Sequence, residues 1–410
     1  MSALPLSRFQ GLPRGVLALG LVSLCMDASS ELVHSILPVF LVTVLGSSAL
    51  TVGLLEGMAE ATAAITKVFS GTLSDRWRRR KGLILTGYGL AALTKPLFPL
   101  ADSISWVLTA RFLDRVGKGI RGAPRDALIA DLVSPEQRNA AYGLRQSLDS
   151  VGAFLGPLLA IVLLLLWQND LRAVLWVAVV PAFLAVALLI FGVKEQPTVS
   201  PVSVRPALSL SSLGTLGRRY WGIVALGSVI TLARFSEAFL VLRGQQVGLP
   251  LAWVPAVIML MSLAYAASAY PTGLAARRWS RRTLLGWGMA VLLLADVVLA
   301  SAATITPVLI GASLWGLHMG LTQGLLAALV ADAVPAERAG TAFGFFNLLT
   351  GVFLLLASGL AGLLWDSLGA PATFLAGAAF SGLALMALVL YDPRPPALAA
   401  WPLCRSDPSR

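Results

Sequence analysis

Residues 71–80 read GTLSDRWRRR, and residues 273–282 read GLAARRWSRR. Each is a short basic run set between long apolar stretches, and the two lie 202 residues apart. The repetition continues outward from them. A shift of 201 residues places Gly119, Ala127, Leu128, Ala130, Asp131, Val133, Glu136, Ala141 and Gly143 on Gly320, Ala328, Leu329, Ala331, Asp332, Val334, Glu337, Ala342 and Gly344. The chain thus carries one pattern twice, and the pattern is apolar. Of 410 residues, 57% are hydrophobic and 12% charged, about half the charged fraction of a soluble domain. Ordinary soluble enzymes and disordered chains are excluded on that ground.

Twelve stretches approach the roughly 20 apolar residues that a bilayer-crossing helix needs. They fall near 15–45, 49–74, 82–101, 104–130, 139–168, 171–193, 220–243, 253–276, 283–303, 306–331, 339–364 and 370–391. Strands of a membrane barrel would be about 10 residues long and would alternate in polarity. The fold expected is therefore all-α integral membrane, with twelve transmembrane helices in two pseudo-symmetric six-helix bundles. The first bundle takes 1–193, a Pro- and Ser-rich linker 194–218, the second bundle 219–392 and a tail 393–410.

The net charge of +11 gathers in the connections after spans 2, 6 and 8. Basic loops mark the cytoplasmic side, which places linker, tail and both termini in the cytoplasm of a multi-pass protein of the cell inner (plasma) membrane. The same distribution removes the argument for a nucleic-acid partner. Cys25 and Cys404 fit neither a disulfide framework nor a zinc site. No phosphate loop, zinc motif or nucleophile elbow is present, so no cofactor, no metal and no enzymatic activity are expected. The expected partners are the lipid bilayer, protons and a small-molecule substrate, with the chain a monomer.

The basic loop carries a resemblance. Gly71-Thr-Leu-Ser-Asp75-Arg76-Trp-Arg-Arg79-Arg80-Lys81 resembles the signature between spans 2 and 3 of the major facilitator superfamily, with Arg78 where a second glycine is usual. Arg115-Val-Gly-Lys-Gly119 is similar to the span 4 signature, and Gly152-Ala-Phe-Leu-Gly156-Pro157 to the span 5 signature of the family's proton-coupled exporters. The resemblance implies a secondary transporter whose central cavity is lined by spans 1, 4, 7 and 10. It also implies gating roles for Gly71, Asp75, Arg76, Arg79 and Arg80, and for Gly152, Gly156 and Pro157 at a bend in span 5. The second copy has Arg277 where the first has Asp75, so a cytoplasmic latch would be asymmetric.

An ionisable residue inside a membrane helix is a functional candidate by default. Span 1 carries Asp27, Glu31 and His34 within an arc of about 60°, and span 2 carries Glu56, Glu60 and Lys67 within about 40°. These acids and His34 are the candidate proton-coupling groups, because neighbouring carboxylates in low dielectric share protons. Permanent pairing with basic residues of other helices is the competing reading, and an Asp27–Arg115 or Glu31–Arg115 contact is the pair expected from depth. Lys67 is expected to reach the cytoplasmic face.

Span 4 presents Arg111, Arg115 and Lys118, and spans 7 and 10 present Arg234, Glu237, His318 and Gln323. Together these are the candidate substrate cavity. Arg145 and Asp149, four apart, are placed to pair, and Asp296 has no local partner. Two functions follow as expectations: proton-coupled export of a small organic solute, or uniport or import of an organic anion on the basic face of span 4.

Overall fold

Backbone placed in hydrocarbon must satisfy its own hydrogen bonds, and helix is the local way to do so. The structure is a computed structural model that describes residues 12–77, 80–194, 216–335 and 338–390, and among them the elements are all helical. In the first repeat these are α1 (Arg14–Thr43), α2 (Ala49–Trp77), α3 (Arg80–Thr94), α4 (Ile104–Leu132), α5 (Arg138–Leu166), α6 (Leu171–Val177) and α7 (Val179–Gly192). The second repeat holds α8 (Arg218–Leu232), α9 (Ala238–Gln246), α10 (Ala256–Ala275), α11 (Arg281–Ser301), α12 (Ile305–Asp332), α13 (Ala339–Leu368) and α14 (Ala370–Leu390).

Among the described residues, eight helical runs are long and apolar enough to cross a membrane: α1, α5, α6 with α7, α10 with the turn before it, and α11 to α14. α3 is only 15 residues long, and α2 and α4 carry the charges of the predicted second and fourth spans. Two expected spans are not single helices. The sixth is divided at Ala178. The seventh is interrupted from Ala233 to Glu237, between α8 and α9. Large apolar side chains such as Phe191, Val389 and Leu166 are exposed on the outside, 83%, 71% and 69% respectively, as expected of a surface that meets lipid.

Close helix approach in a bilayer depends on small residues. Gly152 and Gly156 of α5 lie against the Leu24 and Ala28 carbonyls of α1, where a Cβ would come within 2.6 and 2.7 Å. The glycine edge of α5 therefore faces α1, within its own repeat. Gly53, Gly57 and Gly362 line the seam between α2 and α13, leaving no room for a Cβ against Ser358, Leu355 and Leu50.

At the end of α2 that carries Ala49, Asp366 closes the seam. Its two carboxylate oxygens accept from Ala49 N at 3.0 Å and Leu50 N at 2.8 Å, capping the N-terminus of a helix 316 residues away in sequence.

The apolar core is joined at that end and divided at the other. One cluster runs continuously from Phe40 and Phe98 through Phe239, Trp315 and Phe374, so it takes in both repeats. At the opposite end the repeats keep separate clusters, one around Val16, Ile84 and Leu189 and another around Tyr220, Val330 and Phe346. A wedge of space opens between them.

Candidate functional site

Charged side chains fill the wedge, and what places them is helix face. The deeper part is a chamber of about 230 Å³, bounded by Glu31 and His34 of α1, Glu56 and Glu60 of α2, Arg115 and Lys118 of α4, and the unwound residues Arg234 to Glu237. Unwound backbone at membrane depth is tolerated where it lines a cavity, and here it brings Arg234 and Glu237 to the wall. Beside the chamber lies a vestibule of about 590 Å³ that shares Glu31, Glu60 and Lys118 with it as walls and extends past Asp27, Lys67, Arg125 and Arg145. Lys67, exposed, lines this vestibule.

Most of the buried charges are paired. Arg111, fully buried, donates from Nη2 to Glu56 Oε2 at 2.7 Å and to His34 Nδ1 at 2.9 Å. A guanidinium has only donors, so His34 Nδ1 accepts and its proton sits on Nε2. That nitrogen faces Glu237 Oε2 of the second repeat at 3.6 Å. Arg115 donates to Glu60 Oε1 at 3.0 Å and lies 3.6 Å from Asp114. The partner of Arg115 is thus Glu60, neither Asp27 nor Glu31. Behind it Lys95, fully buried, donates to Asp114 at 2.9 Å and to Ser30 at 3.1 Å.

The vestibule holds a second group. Arg125 donates to Ser23 at 2.9 Å and Tyr88 at 3.3 Å, and Arg145 pairs with Asp149 at 3.1 Å, as their spacing predicted. Asp27 and Glu31 both open onto this space.

On the facing wall, Gln323 of α12 holds Arg234. With its amide turned to satisfy both ends, the oxygen accepts from the Arg234 Nη atoms at 3.3 and 3.2 Å and the nitrogen donates to Tyr265 Oη at 3.3 Å. His318 is not at the cavity. It is fully buried, with Nδ1 at 2.9 Å from the Gly288 carbonyl.

Of the residues given gating roles, Gly71 faces Ala123 of α4, where an added Cβ would lie in ordinary contact at 3.5 Å. Arg80 pairs with Asp131 at 2.7 Å. Pro157 is buried within α5. Arg79 and the side chains of Asp75 and Arg76 lie outside the described residues.

Lys95 and Tyr265 were missed in the sequence. A signal for Lys95 existed: 201 residues further on stands another lone ionisable residue in an apolar helix, Asp296. Nothing in the sequence separates Tyr265 from other membrane tyrosines.

Comparison with known proteins adds the following. The family model of the Major Facilitator Superfamily matches residues 19–347 and 244–403. An uncharacterized MFS-type transporter of Methanocaldococcus jannaschii is 30% identical over 384 residues, covering 92% of this chain and 95% of that protein. The multidrug resistance protein MdtH of Yersinia enterocolitica is 32% identical over 155 residues, 38% of this chain and 37% of that protein. The crystal structure of the nucleoside transporter NupG superposes with a TM-score of 0.73 at 12% identity, covering 92% of this chain and 99% of that one, a likeness of fold.

Proposed function

The chain belongs to the major facilitator superfamily, and on that premise we propose that it is a secondary active transporter of twelve spans in two six-helix halves, exchanging protons for a small organic solute carried out of the cell. The observation that carries this reading is a pair of adjoining cavities, vestibule and chamber, that share Glu31, Glu60 and Lys118 as walls and are lined from both repeats. Charges so placed meet each side of the membrane in turn when two halves rock about them. With the basic loop after α2 on the cytoplasmic side, the vestibule faces the cytoplasm. The seam of α2 and α13, with its Asp366 cap, then closes the outer side.

In the proposed cycle Asp27, Glu31 and Glu60 exchange protons. Arg115 holds Glu60 when that carboxylate is ionised and releases it on protonation. His34 and Glu237 approach across the two halves at the closed end of the chamber, where rocking would separate them. The partial likeness to a multidrug resistance protein supports outward movement. The protein is proposed to work as a monomer in the inner membrane with both termini cytoplasmic.

Solute flux in proteoliposomes, with and without an imposed pH gradient, tests the coupling. Acceleration by the gradient, lost in Glu31→Gln, is the expected result, and equal flux in both conditions rejects proton exchange. The anion reading is favoured by one observation, the cations Lys118 and Arg234 facing the chamber. It requires that Arg115→Gln abolish anion binding while carboxylate substitutions do little.

A further inference from the structure

Two ion pairs and one close approach take up most of the charged groups around the chamber: Arg111 with Glu56, Arg115 with Glu60, and the His34 Nε2–H facing Glu237. Three groups are left over. Among the described residues no opposite charge lies within 4.0 Å of Glu31, Lys118 or Arg234. Glu31 is on α1, Lys118 on α4 and Arg234 in the interrupted seventh span, so the unmatched charges stand on different walls of one 230 Å³ space.

Arg234 is also preorganised. Gln323, itself braced by Tyr265, engages both terminal nitrogens, which fixes the plane of the guanidinium and leaves donors for a carboxylate. A planar guanidinium with spare donors matches a carboxylate in a forked geometry.

A ligand of one sign gains at one wall and loses at the other. A lone anion meets Glu31 within the same small space, and a lone cation meets Lys118 and Arg234. A molecule carrying both signs gains at each end. We propose that the chamber is a site for a small zwitterion, its carboxylate on Arg234 and its ammonium on Glu31. The site rests on the transporter reading, and it names the class of solute carried. Because Glu31 and Arg234 belong to different repeats, such a ligand would bridge the two halves and bias the position of one against the other.

The test uses the purified full chain and a graded probe set: ω-amino acids from glycine to 6-aminohexanoate, each beside the n-alkylamine and the alkanoate that lack one charge. Binding is read by calorimetry and by ligand-induced thermal shift. The expected result is a preferred chain length among the amino acids, with both singly charged analogues at least tenfold weaker. Arg234→Gln and Glu31→Gln should each remove that advantage, and Arg234→Lys should restore part of it, which separates lost recognition from lost folding.

Equal binding of either singly charged series overturns the proposal, as does absence of binding by every amino acid in the set. Flux of the same probes in proteoliposomes separates the two readings. Zwitterion binding without flux removes the transporter and keeps the site. Flux of another solute with no zwitterion binding does the reverse.

Discussion

In the first repeat Gly87 of α3 packs against the Gly117 carbonyl and Arg121 of α4. In the second, 201 residues on, Gly288 of α11 packs against the His318 carbonyl and Thr322 of α12. Gly119 meets Thr66 of α2, and Gly320 meets Ser268 of α10. The ends match as well: Arg80 pairs with Asp131, and Arg281 with Asp332. Lys81 donates to the Ile190 and Val193 carbonyls at the end of α7, and Arg282 donates to the Val389 carbonyl at the end of α14.

The filling of these two frames differs. Arg111, Arg115 and Lys118 of α4 are replaced by Ala312, Gly316 and Met319 of α12. The buried pair Lys95–Asp114 becomes Asp296 and Trp315. Asp296 is fully buried with neither oxygen bonded, and the indole nitrogen of Trp315 is unbonded too. Helix contacts are thus kept by small residues at equivalent places, while Arg111, Arg115 and Lys118 of α4 have no charged counterpart on α12. A rocking pair of halves needs matching shapes on both sides, but its charged groups need not match.

Removing one member of the pair should sharpen this contrast most. Lys95→Met leaves Asp114 buried without its ammonium, a loss of about 3–5 kcal/mol, whereas Asp296→Asn gives up no partner. Thermal unfolding of the purified protein in detergent should fall steeply for the first and stay level or rise for the second. Equal losses would break the comparison.

The glycines come next. A Cβ at Gly316 would fall 2.0 Å from the Met261 carbonyl oxygen, and one at Gly320 the same distance from the Ser268 hydroxyl. Backbone cannot turn aside but a serine side chain can. Gly316→Ala should cost about 1–3 kcal/mol and Gly320→Ala less, in the same unfolding assay.

Asp366→Ala removes a cap worth about 1 kcal/mol. Because that cap joins α13 to α2, the loss should appear as roughly a fivefold shift toward conformations open at that end, read as spin-label distances between the outer ends of the two helices. An unchanged distribution would mean that the glycine seam alone keeps them together.

The smallest effects belong to the matched ion pairs at the ends of the frames. Asp131→Asn and Asp332→Asn should each cost about 0–1 kcal/mol and should agree. A clear difference between them would show that the two frames are not mechanically equivalent.

Contacts within one helix were readable in the sequence. Arg145 and Asp149 pair because four residues make about one helical turn, and the isolation of Asp296 follows from its apolar neighbours. Contacts between helices were not. Depth alone allowed Arg115 to meet Asp27 or Glu31, yet it meets Glu60. Gly152 and Gly156 were visible as a small-residue edge, but not the helix that edge would meet.

Amphipathic spacing, apolar length and loop charge are properties of a chain segment alone. They were enough to give the membrane class, the internal repeat and most of the intramembrane charges, while the family came through the resemblance carried by residues 71–81. Which of those charges cancel and which stay unmatched depends on the rotation and tilt of each helix against its neighbours. Packing of the whole bundle sets those angles, so the leftover trio of Glu31, Lys118 and Arg234, and the break in the backbone that exposes Arg234, came into view only in three dimensions.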